Sequence, residues 1–306
     1  MIAILSAPTN LGLRPPVPGV VPGTDKAPEA LREAGLFARF AERGAIDAGV
    51  VLPSRYVDDD ATRPRDMLRN QAAIVDHSRR LADRIERIWT AGHAPLVLGG
   101  DCSLLVGAGL ALARRGRAGL VHVDGHTDFR HPGNSAVIGS LGGEDLAAAV
   151  GLHLDAVADL DGRRPYVEPA RVAHIGHRAD DEHVDEVRAL LGAVLPAAAV
   201  GRDGPAAVAG AARAAAGDVY WLQVDVDVLD PPVMPAVDSP DTGGIEADQL
   251  VALLRALAPG AVGVSITIFD PDLDPDGRFA RLLTDVLLDG LGEWQGQVLA
   301  RGGGGR

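Results

Sequence analysis

Two apolar runs that end in acidic residues at every second position constrain this chain more than any other feature. Residues 119–128 read Gly-Leu-Val-His-Val-Asp-Gly-His-Thr-Asp, so a hydrophobic stretch breaks off into Asp124, His126 and Asp128. Residues 219–231 follow the same design and carry Asp225 and Asp227. Side chains two apart on a strand share a face, so each run reads as a buried strand whose last polar groups converge. A single aspartate after a strand more often caps a helix or forms a turn. Four carboxylates gathered at two strand ends are different, because they repel one another and lose hydration unless a cation sits among them. The pattern therefore predicts a metal site. A carboxylate-rich set with one imidazole suits Mn²⁺, with Zn²⁺, Fe²⁺ or Co²⁺ as alternatives.

The rest of the chain supplies a scaffold for such strand ends. Apolar runs predict strands at 2–6, 95–98, 119–124, 171–175, 219–225 and 261–268. Helical periodicity predicts a helix from near Pro28, then helices at about 66–91, 104–115, 144–150, 183–191, 205–216, 247–258 and 278–291. This alternation predicts an α/β fold with a mostly parallel sheet and helices on both faces. Sites in such sheets lie at the carboxyl ends of the strands, where the aspartates fall. Residues 1–300 are expected to form a single catalytic domain, and the glycine-rich tail 301–306 has no apolar group to bury.

Composition narrows the partners. A net charge of -13 lacks the basic footprint that nucleic acid requires, so a small-molecule substrate fits better. The one cysteine, Cys102, makes no intramolecular disulfide, and the N-terminal apolar stretch is too short for a signal peptide or a membrane span. A cytoplasmic protein with no membrane partner is expected.

A third strand end carries Gly99-Gly100-Asp101-Cys102-Ser103. Cys102 is a candidate extra ligand, with a thiolate favoured at the start of a helix, whereas Asp101 suits a helix cap. Together with Asp124-Gly125-His126-Thr127-Asp128 and Asp225-Val226-Asp227-Val228-Leu229-Asp230-Pro231, this segment resembles the arginase and agmatinase family, the ureohydrolases. Supporting matches run from Ala27-Pro28-Glu29-Ala30-Leu31-Arg32 to Gly277-Arg278-Phe279-Ala280-Arg281. The resemblance implies an arginase-like three-layer α/β/α sandwich with two manganese ions. One ion would be held by Cys102, Asp124, Asp128 and Asp225, the other by Asp124, His126, Asp225 and Asp227. A metal-bridging hydroxide would attack a guanidinium carbon, with Asp128 as the catalytic residue that helps move a proton to the leaving amine. The resemblance also implies a homo-oligomer, a trimer or a hexamer.

Three positions depart from the family pattern. Cys102 stands where the family has histidine, Gly142 where a loop histidine is expected, and Ile268 where a glutamate pairs with the substrate guanidinium. A guanidinium facing isoleucine lacks its counter-charge. The cysteine, with the Asp-Gly-His and Leu-Gly-Gly segments, also resembles a branch that hydrolyses hydroxylated arginine, whose hydroxyguanidine is less basic. Asp270 and Asp272 offer replacement charge, although exposed loop positions suit them better.

For the remainder of the substrate, Arg130, His131 and Asn134 are candidates to bind a carboxylate, and the acidic segment Asp180, Asp181 and Glu182 to bind an amine. His122 is expected to face away from Asp124 and pack in the core. The reading that follows is a metal-dependent hydrolase cleaving a linear amidine or guanidino C–N bond of a small metabolite. The alternatives are a non-hydrolytic relative that keeps metal for binding or assembly, and a hydrolase of a non-guanidino amide.

Overall fold

The computed structural model describes residues 1–116 and 118–299 of the chain; the expected glycine-rich tail lies outside them. Eight strands form one sheet: β1 (Ile2–Ala7), β2 (Ile46–Val50), β3 (Ala94–Gly99), β4 (Gly119–Val123), β5 (Val172–Ile175), β6 (Ala193–Leu195), β7 (Tyr220–Asp225) and β8 (Ala261–Thr267). Their order is β2-β1-β3-β8-β7-β4-β5-β6, and every pairing is parallel.

Alternation along the strands sends side chains into two separate cores. Leu96, Leu98, Val121, Val123, Leu222 and Val224 meet the helices Ala27–Glu33, Pro205–Ala216, Ala247–Leu257 and Arg278–Leu291 on one face. Val97, Leu120 and Trp221 meet Gln71–Thr90, Leu104–Arg115 and Asp145–Ala149 on the other. The result is a three-layer α/β/α sandwich. Trp89 and Trp221 pack edge to face across the second core at 6.3 Å, a geometry worth about 1 kcal/mol beyond their buried area.

Twelve of the expected elements, six strands and six helices, fall within two residues of their expected bounds. The helix expected from about residue 66 instead starts at Gln71, because Asn70 adopts a left-handed φ of 51° just before it. Strands β2 and β6 have no counterpart among the expected elements. Both lie at sheet edges, and β2 is largely exposed, so neither needs the continuous apolar run that betrays a buried strand. No helix among the described residues is long and apolar enough to cross a membrane.

Four neighbouring strands, β3, β8, β7 and β4, end side by side. Their carboxyl ends deliver Cys102, Ile268, Asp225 with Asp227, and Asp124 with His126 and Asp128, respectively. The approach is tight: a Cβ on Gly100 would meet the carbonyl oxygen of Thr9 at 1.6 Å, so only glycine lets the β3 turn pass beneath the β1 loop. Asp101 then ties the two together, accepting from Ser103 N at 2.8 Å, Thr9 Oγ1 at 3.1 Å and Gly12 N at 3.2 Å. It is therefore not the expected cap: Ser103 occupies the cap position of the helix Leu104–Arg115 and no side chain caps it, while Asp101 closes the turn before it.

Candidate metal centre

The polar residues that end the four central strands form one buried cluster. Cys102 Sγ lies 2.8 Å from Asp225 Oδ2 and 3.1 Å from Thr267 Oγ1. His126 Nδ1 lies 2.9 Å from Asp227 Oδ2, and its Nε2 lies 3.1 Å from Asp241 Oδ2 at the surface. Backbone amides hold the carboxylates in place: His126 N donates to Asp124 Oδ1 at 2.7 Å, Asp227 N to Asp225 Oδ1 at 2.8 Å, and Gly125 N to Asp227 Oδ1 at 3.0 Å. Asp128 sits just beyond β4 with a φ of 47°, a conformation aspartate tolerates better than most residues.

Electrostatics in this cluster are those of anions short of a counter-charge. Burial, reinforced by neighbouring carboxylates, raises Asp124 and Asp225 far above the usual carboxylate range. Burial also pushes Asp128 up to about 7. Against its own burial, the hydrogen bond and charge of Asp227 lift His126 to about 11, and Asp227 is lowered in return. Burial and the Asp225 carboxylate push the Cys102 thiol well up, which corrects the expectation of a thiolate favoured by its place before a helix.

Orphaned atoms make the same point in space. Asp124 Oδ2, both carboxylate oxygens of Asp145, and His122 Nε2 are buried without a hydrogen-bond partner. Such groups each cost on the order of 1–3 kcal/mol unless something satisfies them. Ligand atoms of Cys102, Asp124 and Asp225 lie within 4.8 Å of one another, as do those of Asp124, His126 and Asp227; the same holds for Cys102, Asp128 and Asp145, and for His122, Asp124 and Asp128. Carboxylate, imidazole and thiol donors at such spacing could hold divalent ions, and the donor set fits them.

His122 and Asp145 escaped the sequence reading. His122 was expected to face away from Asp124; instead its Nε2 lies 3.5 Å from Asp124 Oδ2 and 3.9 Å from Asp145 Oδ1. Residues two apart on a strand point the same way, and that rule places His122 beside Asp124. Behind it, His122 Nδ1 meets His174 Nδ1 at 3.0 Å, and His174 packs on His177 with ring centroids 5.2 Å apart.

A cleft of about 390 Å³ opens over the cluster, lined by residues including His126, Asp128, Arg130, Asp181, Gly142 and Ile268. Arg130 flanks the same space as Asp128: a Cβ on Gly143 would sit 2.7 Å from Arg130 Nη2 and 3.9 Å from Asp128 Oδ1. Asp181 is fixed by Thr127, whose N and Oγ1 donate to it at 2.9 and 2.5 Å. Asn134 is not brought to the cleft. Its amide donates to Phe129 O and Glu186 Oε2, both at 2.8 Å, while His131 Nε2 meets Glu186 Oε1 at 3.1 Å. Asp270 and Asp272 also point elsewhere, accepting from Gly23 N at 3.2 Å and Lys26 Nζ at 2.6 Å.

Two further residues shape the cleft. Arg178 is buried and donates to the carbonyls of Asp227 at 2.7 Å and Asp241 at 2.9 Å, clamping the loop that carries Asp227. Ile268 has a φ of 73°, an outlier for a β-branched residue, at the mouth of β8. Its amide donates to Gly100 O at 2.8 Å, which helps hold the strained turn.

Comparison with known proteins shows where this fold belongs. The chain matches the Arginase family model over residues 2–292. It is 29% identical over 283 residues to an arginase of Brevibacillus brevis, covering 89% of this chain and 93% of the relative. A formimidoylglutamase of Aeromonas hydrophila is 30% identical over 221 residues, covering 66% of this chain and 64% of the relative. The crystal structure of the Bacillus caldovelox arginase superimposes with a TM-score of 0.85 at 26% identity, covering 95% of this chain and 98% of that one. With its strand ends, its acidic cluster and this match along nearly its whole length, the chain belongs to the arginase family.

Proposed function

We propose that this chain is a two-metal hydrolase that cleaves the C–N bond of a small linear amidine. One ion would be held by Cys102, Asp124, Asp128 and Asp225 and the other by Asp124, His126, Asp225 and Asp227. Mn²⁺ suits this donor set, with Zn²⁺, Fe²⁺ or Co²⁺ as rivals. The observation that carries the reading is the convergence of five carboxylates, a thiol and two imidazoles in one cluster of overlapping groups, with several of their atoms unpartnered. When bound, divalent ions polarise the scissile group and make water a nucleophile at neutral pH.

The chain's own residues supply binding and proton movement. Asp128 lines the cleft and is the group that passes a proton to the departing amine. Arg130 beside it offers a planar fork for a substrate carboxylate, and Asp181 with Asp180 gives the far wall an acidic character suited to an amine. Ile268 supplies apolar surface where a cationic guanidinium needs a carboxylate. A less basic amidine, such as a hydroxyguanidine, suits that wall better than arginine itself.

Metal analysis combined with an assay for released urea, hydroxyurea or ammonia over arginine, agmatine, guanidinobutyrate, hydroxyarginine and a formimidoyl amino acid tests this. The expected result is bound metal and turnover of at least one amidine, with arginine a poor substrate. Gly142 and Ile268, which leave the cleft without a histidine and a glutamate at those positions, favour the second reading of a non-hydrolytic metal protein. Bound metal with no turnover of any amidine or amide would establish that reading instead.

A further inference from the structure

Asp145 belongs to no part of the ligand set described so far. It opens the short helix Asp145–Ala149, is fully buried, and is followed by Leu146, Ala147, Ala148 and Ala149, all buried as well. Among the described residues neither of its carboxylate oxygens has a hydrogen bond of good geometry, although the Leu146 amide and the Asp128 carboxylate lie against it. An isolated carboxylate in such a place costs several kcal/mol if it is charged, so something must neutralise it. Among the described residues no Lys or Arg is paired with it; the groups around it include Cys102, Asp128 and the Nε2 face of His122.

We infer that Asp145 is a further metal ligand, closing the Cys102 side of the centre together with Cys102 and Asp128. The geometry supports this independently of Asp124, Asp225 and Asp227. Oxygen of Asp145, oxygen of Asp128 and sulfur of Cys102 lie within 4.8 Å of one another, close enough for a single ion to contact all three. His122, 3.9 Å from Asp145 and 3.5 Å from Asp124, stands between the two carboxylates with its Nε2 unpartnered and is the orienting neighbour of both. A purely structural role leaves it poorly served: the groups against its oxygens are the Leu146 amide of its own turn and the Asp128 carboxylate, a like charge that a cation would reconcile, and neither makes a hydrogen bond of good geometry. A thiol paired with an additional carboxylate makes that end of the centre more anionic, which favours a divalent ion with mixed sulfur and oxygen preference.

The inference rests on the two-metal reading above, and the test separates the two. Wild type, Asp145→Asn and Asp145→Ser are stripped with chelator and titrated with Mn²⁺ and, separately, with Co²⁺, whose thiolate charge-transfer band reports contact with Cys102. Wild type is expected to take up two ions. Both variants are expected to lose about tenfold or more in affinity for one ion while keeping the other, and to show a weakened cobalt–thiolate band. Removing an uncompensated buried carboxylate is also expected to leave the metal-free variants at least as thermally stable as metal-free wild type, with a smaller gain on adding Mn²⁺. If wild type binds two ions and both variants bind them equally tightly, the assignment of Asp145 is overturned and the two-metal reading stands. If the metal-free variants are clearly less stable and metal affinity is unchanged, Asp145 is structural. If wild type binds no ion, the two-metal reading fails and takes this inference with it.

Discussion

Cys102 Sγ and Asp225 Oδ2 lie 2.8 Å apart, although the two residues are 123 positions apart and leave strands that are not neighbours in the sheet. Strand β8 runs between them, and Thr267 at its end joins the pair through a contact of 3.1 Å to the cysteine sulfur. Burial suppresses ionisation of this thiol, which donates its proton to the buried carboxylate in a place where a cation could take over both. Cys102→Ala is therefore expected to lose tenfold or more in affinity for one of two ions, whereas Cys102→His keeps or tightens binding. Calorimetric titration of the metal-free proteins with Mn²⁺ checks both; equal affinity in wild type and Cys102→Ala would remove the thiol from the ligand set.

Ile268 offers a test of substrate choice. A carboxylate introduced by Ile268→Glu faces the cleft from a backbone already held at a φ of 73°. The expected outcome is a rise of roughly tenfold or more in kcat/KM for agmatine or arginine relative to hydroxyarginine, because a cationic guanidinium gains its partner. Steady-state kinetics on the three substrates decides it. An unchanged ratio would mean that the amidine group does not approach Ile268.

Gly142 shows why a histidine cannot simply be restored. A Cβ there would lie 2.8 Å from Leu13 Cδ2 and 3.3 Å from the carbonyl oxygen of Gly12. Gly142→His alone is expected to destabilise by about 1–3 kcal/mol through overpacking, and Leu13→Ala in the same chain to recover part of that loss. Urea denaturation of the two single variants and the double variant gives the coupling. Strict additivity would contradict the contact.

Acid sensitivity follows from buried neutral imidazoles. Burial holds His77, His174 and His177 below their ordinary ionisation range. The folded-state values are depressed, so as pH falls through about 6.5 the unfolded chain takes up protons first and stability is lost from there downward. Above that pH the contribution is fully present. In chelator, His174→Gln is expected to make the decline shallower by about 1.4 kcal/mol per pH unit. Stability measured by denaturant at a series of pH values from about 7 to 5 reads this slope directly; an identical slope in the variant would show that His174 is not among the groups that titrate.

The sequence was legible where burial is complete on both faces of the sheet. Strands β3, β4, β7 and β8 announce themselves as apolar runs, and the ligand candidates Asp124, His126, Asp225 and Asp227 follow from the alternation that ends two of them. Edge strands β2 and β6 were not legible, because a half-exposed strand of mixed composition leaves no run to read. Arg178 escaped because its partners are backbone carbonyls that only the folded loops bring together. Asp145 escaped because an acidic residue at the start of a helix is ordinary; the overlooked signal was the unbroken apolar stretch behind it, which forces the whole turn inward. His122 is legible from spacing alone: two positions before Asp124, it shares that residue's face of the strand and not the opposite one.

Crystals grown in Mn²⁺ and measured at the manganese absorption edge test the central claim most directly. The account predicts two anomalous peaks within the cluster, one beside His126 and Asp227 and one beside Cys102, with the carboxylates of Asp124 and Asp225 touching both. A cluster without anomalous density, its acids turned to solvent or hydrogen-bonded to one another, would contradict it.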